Sequence, residues 1–68
     1  MKNNIKVERA KKNITQEELA EGIHVSRQTI NAIETSRFVP STILALRLAQ
    51  YFNISVEKIF ELEPDDLQ

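Results

Sequence analysis

The sequence predicts a mainly α fold: five short helices in a single domain, residues 1–68, with room for a short β-pair joining the N-terminus to residues 60–63. Three observations predict it. Only one glycine and two prolines interrupt the 68 residues, so few positions favour a turn over a helix. Apolar residues recur at three- and four-residue spacing, the period that gathers side chains on one face of a helix. A serine or threonine stands ahead of four apolar runs, at Thr15, Ser26, Ser41 and Ser55, where its hydroxyl can accept from a free first-turn N–H.

The first helix is expected from Asn3 to Lys12, with Ile5 and Arg9 turned toward a core, Val7 as a further inward candidate, and Asn13 closing it as a left-handed cap. The second opens at Thr15. Glu18 lies three residues on and completes a capping box, in which each side chain satisfies the other residue's free N–H. Leu19, Ala20 and Ile23 give this helix its apolar face, and Gly22 near its end costs up to ~1 kcal/mol relative to alanine. Only His24 and Val25 separate it from a third helix, Ser26 to about Thr35, whose Ile30 and Ile33 point inward. Arg27, Gln28, Asn31 and Ala32 are left facing outward.

Pro40 blocks continuation, and Ser41 caps a fourth helix in which Ile43, Leu44, Leu46, Leu48, Ala49 and Phe52 are too many for a narrow stripe, which places it at the centre of the core. Asn53 ends it. Ser55 caps a fifth helix with Glu57 in its first turn and Val56, Ile59 and Phe60 buried. Phe60 to Glu63 then alternates apolar and polar, the pattern of a half-buried strand, and the N-terminus is the free segment that can pair with it. Residues 64–68 read as a mobile acidic tail.

Charge and composition narrow the function. The formal net charge is -1, but five carboxylates (Glu57, Glu61, Glu63, Asp65, Asp66) against Lys58 give the segment from 57 onward -4 and leave residues 1–56 at +3. The body is mildly basic, which suits a polyanionic partner better than the total suggests. Without cysteine there is neither a disulfide nor a thiolate ligand or nucleophile. The single histidine, His24, sits in a turn without neighbouring ligands, and no glycine-rich phosphate loop or paired acid and base is present. No enzyme, metal, cofactor or small-molecule ligand is therefore expected. No signal peptide or membrane span is read either, so the expected location is the cytoplasm.

Two short helices joined by a tight turn, the second capped and polar on its outer face, have the geometry for entry into a major groove. Through Ile14-Thr15-Gln16-Glu17-Glu18-Leu19-Ala20 and Val25-Ser26-Arg27-Gln28-Thr29-Ile30-Asn31-Ala32-Ile33-Glu34, the sequence resembles the Xre-like helix-turn-helix regulators of the Cro and phage-repressor type. The likeness continues through Arg37-Phe38-Val39-Pro40-Ser41 and Leu44 to Phe60, and covers nearly the whole chain. It implies a five-helix, repressor-like DNA-binding domain with its helix-turn-helix core at 16–35.

Base-reading positions implied by the resemblance fall on Arg27, Gln28, Asn31 and Ala32. The chemistry agrees: arginine can donate twice to guanine, glutamine can bond adenine, and alanine can meet a thymine methyl. Phosphate contacts fall on Gln16, Thr29, Ser36 and Arg37, which would position the protein without reading sequence. Arg9 and Glu34 match a structural ion pair between the first and third helices. His24 and Ser36 stand where the family prefers glycine, and histidine adopts positive φ only at some cost. Glu8 occupies a slot that is often apolar.

Relatives of this type are usually repressors that bind palindromic operators as homodimers, and Ile59, Phe60 and Leu62 are the expected dimer surface. The competing readings are an antitoxin-like protein or another protein-interaction module on the same fold.

Overall fold

The computed structural model describes residues 1–67. It is made of β1 (Lys2–Asn3), α1 (Ile5–Lys12), α2 (Gln16–Gly22), α3 (Arg27–Glu34), α4 (Thr42–Phe52), α5 (Val56–Ile59) and β2 (Phe60–Glu61), followed by a 3₁₀ turn at Pro64–Leu67. The mainly α class is as expected, and so is the β-pair. The two strands run antiparallel, with Lys2 opposite Glu61 and Asn3 opposite Phe60. The pairing stops at Glu61, short of the expected Glu63.

Local chemistry sets the helix boundaries. Thr15 and Glu18 form the full capping box, with the Thr15 hydroxyl 3.0 Å from the Glu18 N–H and the Glu18 carboxylate 2.9 Å from the Thr15 N–H. Ser26 and Ser41 accept from Thr29 and Leu44 at 3.1 Å each. Ser55 holds the N-cap position of α5 in extended backbone but makes no side-chain capping bond. Asn13 and Asn53 close α1 and α4 in the left-handed conformation, at φ 56° and 57°. A short polar side chain tolerates that region better than most.

The core is assembled from every helix: Ile5 of α1, Leu19 and Ala20 of α2 with Ile23 just past it, Ile30 and Ile33 of α3, Leu44, Leu48 and Phe52 of α4, and Ile59 with Phe60. Among the described residues no polar or charged residue is buried with them. Of the expected inward positions, Ala49 and Val56 are only half-buried against this core and three more are exposed. Val7, Ile43 and Leu46 are 52%, 66% and 53% exposed, so α4 buries one stripe rather than most of its circumference. Its other apolar side faces outward because no further element of the described chain lies over it.

The expected mobile tail is a turn of 3₁₀ helix over Pro64–Leu67, and Gln68 lies outside the described residues. The Met1 ammonium sits 3.0 Å from Glu63 and 3.1 Å from Asp66. These carboxylates hold the ammonium pKa above its ordinary value. A backbone hydrogen bond from Glu63, then the ammonium, hold Asp66 below its own.

Candidate nucleic-acid interface

The turn between α2 and α3 decides where the outer face of α3 points. His24 takes up φ 61°, and Val25 N–H then donates to Ala20 C=O at 3.0 Å, folding the chain back on α2. Histidine adopts the conformation that the sequence suggested a glycine would prefer. Ser26, extended, then starts α3. Leu19, Ala20 and Ile23 share one buried cluster with Ile30 and Ile33, so α2 and α3 pack as one unit.

Arg27 and Gln28 stand exposed on the first turn of α3. Asn31 and Ala32 follow one turn later on the same side, as four-residue spacing requires, and are partly exposed. All four expected base-reading residues therefore share one face. An arginine at the positive end of a helix gains nothing from the helix dipole.

The four phosphate candidates are distributed around that face and are committed to different degrees. Gln16 opens α2; its amide donates to Glu34 Oε1 at 3.2 Å and keeps a second N–H. The Thr29 hydroxyl lies 3.0 Å from that of Ser26, so it belongs to the cap of α3. Ser36, at φ 61°, donates to Met1 C=O at 3.4 Å. Arg37 folds back on α3: it donates from Nη2 to Asn31 Oδ1 at 2.8 Å and from Nε to Thr35 Oγ1 at 3.0 Å.

At the flank of this surface, one turn beyond Asn31, stands the ion pair. Arg9 donates from Nε and Nη2 to the two carboxylate oxygens of Glu34, at 2.6 and 3.0 Å, and from Nη1 to Ile14 C=O at 3.1 Å. The side chains are only 15% and 6% exposed. Hydrogen bonding to Glu34 raises the already high pKa of Arg9, opposed by partial burial. Glu8, the polar residue in an expected apolar slot, accepts from Lys11 at 3.1 Å along the surface of α1.

Of the expected dimer residues, Ile59 is 0% and Phe60 8% exposed: both complete the monomer's own core and must be withdrawn as dimer-surface residues. The short α5 has to bury its one apolar side against α4, and β2 brings Phe60 in behind it. Leu62, beyond the strand, is 63% exposed. The edge of Phe60 forms part of the wall of an apolar groove of about 260 Å³, lined also by Val39, Pro40, Ala45, Leu46 and Val56.

Sequence reasoning missed Asn3, whose side-chain amide donates to Ile33 C=O at 2.8 Å and ties the N-terminal strand to the end of α3. Nothing local in the sequence marks this contact. The acidic 3₁₀ turn is held at the same end of α3 through Met1, roughly 12 Å along the helix from Arg27 at 1.5 Å per residue. No cluster of histidine and acidic residues suited to a metal occurs among the described residues, and no helix there is long and apolar enough to cross a membrane.

A two-helix unit with a capped, polar outer helix defines the class, and comparison with known sequences gives the family. The model of the helix-turn-helix family matches residues 5–59, and the chain belongs to that family of DNA-binding transcription regulators, in its Xre-type branch. It is 48% identical over 66 residues to the HTH-type transcriptional regulator MJ0272 of Methanocaldococcus jannaschii, covering 97% of this chain and 100% of that protein. It is 42% identical to the HTH-type transcriptional regulator YgzD of Bacillus subtilis, with the same coverage. An Archaeoglobus fulgidus HTH-type transcriptional regulator is 43% identical over 67 residues, 98% of this chain and 94% of the relative.

Proposed function

We propose that this regulator is a sequence-specific repressor that inserts α3 into the major groove of a palindromic operator as a homodimer. One observation carries the reading: Arg27 and Gln28 stand exposed on the capped first turn of a helix whose opposite side is locked against α2. Arginine and glutamine at that place are equipped to read guanine and adenine, each good pair contributing roughly 1 to 3 kcal/mol of discrimination. Asn31 and Ala32 extend the read one turn further. Gln16, Ser36, Arg37 and, more weakly, Thr29 serve the phosphates on either side.

A dimer supplies what a 68-residue reader lacks, since two copies about 34 Å apart double the contacts on one face of the duplex. With Ile59 and Phe60 in the core, Leu62 and the apolar side of α4 at Ile43 and Leu46 support self-association. The second reading, a protein-interaction module on this fold, is favoured by the same apolar groove beside Leu46.

Fluorescence anisotropy with selected and random duplexes tests the proposal. Arg27→Ala and Gln28→Ala each relax preference at one or two base positions. Arg37→Ala weakens binding to every sequence and flattens the logarithmic salt slope by about one. Absence of binding even at low salt sinks the DNA reading and leaves the interaction module.

A further inference from the structure

Asn31 differs from Arg27 and Gln28 in that its side chain is already held. Arginine carries donors only, so the Asn31 atom 2.8 Å from Arg37 Nη2 is its carbonyl oxygen on chemical grounds alone. Arg37 is in turn fixed twice more. Its Nε donates to Thr35 Oγ1 at 3.0 Å, and its backbone N–H donates to Ala32 C=O at 2.9 Å. The Thr35 hydroxyl itself donates to the Asn31 backbone C=O at 2.8 Å, which closes a ring: Asn31 side chain, Arg37, Thr35, Asn31 backbone.

A free amide can present either its oxygen or its NH₂ to a base edge. The Asn31 oxygen is engaged by a charged donor, whereas its NH₂ makes no hydrogen bond among the described residues and is the end left to meet a base. We propose that Arg37, positioned by Thr35, fixes Asn31 as a hydrogen-bond donor, and that the protein therefore requires an acceptor at the base facing Asn31 and rejects cytosine there. In the major groove guanine offers O6 and N7, adenine N7 and thymine O4, whereas cytosine offers the N4 amino donor. Arg37 is thus a positioning residue for specificity, and its remaining N–H groups still serve a phosphate. The inference rests on the proposed entry of α3 into the groove.

Selection from a randomised duplex pool tests it, using the wild type, Asn31→Ala, Arg37→Met and Thr35→Val. The position that loses its preference in Asn31→Ala is the one Asn31 reads, and the wild type depletes cytosine there about tenfold, the worth of one hydrogen bond. Arg37→Met restores cytosine toward parity at that position alone and also lowers overall affinity. Thr35→Val relaxes the same position with the salt dependence unchanged, which a purely phosphate-binding Arg37 would not do. Cytosine enriched there in the wild type, the same depletion in Arg37→Met and Thr35→Val as in the wild type, or no position altered by Asn31→Ala overturns the proposal while sequence-specific binding stands. A wild type that selects no sequence at all overturns both.

Discussion

Glu34 is the residue on which the site is built. Its nearly buried carboxylate receives Arg9 through two hydrogen bonds and Gln16 through a third, joining α1, α2 and α3 at the flank of α3, one turn beyond Asn31. Removing only Arg9 strands that charge, and Arg9→Met is expected to lower unfolding free energy by about 3 kcal/mol in urea melts. Arg9→Met combined with Glu34→Met costs much less, because neither charge is left alone. A second residue-scale test concerns His24, held at φ 61° where a side chain other than glycine is strained. His24→Gly relieves that strain and loosens the unfolded chain, so a net gain of up to about 1 kcal/mol is expected, with DNA affinity unchanged. A loss would show that the histidine side chain does something the turn geometry does not reveal.

At the scale of elements, the starts and stops of the helices were legible because they are written in neighbouring residues. Thr15 with Glu18, Ser26, Ser41, Asn13 and Asn53 each act within four positions of themselves, and each does so in the structure. Which apolar side chains find a partner was less legible. Spacing made Ile43, Leu46 and Val7 look inward, but burial depends on what lies across from a helix, and periodicity carries no record of that. For the same reason Ile59 and Phe60 looked available for a dimer, and the Arg37–Asn31 bond was invisible. Gly22 is a further case: within α2 it looks like a weak point, yet a Cβ there would come within 2.5 Å of the Tyr51 ring on α4. Gly22→Ala is therefore expected to destabilise by about 1 to 3 kcal/mol despite the better helix propensity. In a Tyr51→Ala background the same substitution becomes neutral or stabilising, by up to about 1 kcal/mol. Thermal melts of the four proteins read the change of sign.

At the scale of the whole molecule, net charge divides along the chain, with +3 over residues 1–56 and -4 from residue 57 onward. The acidic turn is tied to the Met1 ammonium beyond the far end of α3, which keeps its carboxylates away from Arg27 but close to Ser36, whose hydroxyl donates to Met1 C=O. That tie has a pH window. Asp66 is held below its ordinary pKa, so its share is complete above about 3.8 and fades as pH falls through the lowered value. The ammonium is held above its own, so its share is complete below about 8.0 and fades as pH rises through the raised value. Amide resonances of residues 64–67 should accordingly hold their positions between those limits and move outside them. Self-association belongs to this scale too. Leu46→Lys, on an exposed position, should fold normally yet shift sedimentation from dimer to monomer and weaken operator binding. Chemical-shift mapping of the labelled protein against a selected duplex tests whether the first turn of α3 meets the bases. The largest shifts are expected at Arg27, Gln28 and Asn31, with smaller ones at Gln16 and Arg37; shifts centred on α4 and the apolar groove, with α3 silent, would rule out groove entry by α3.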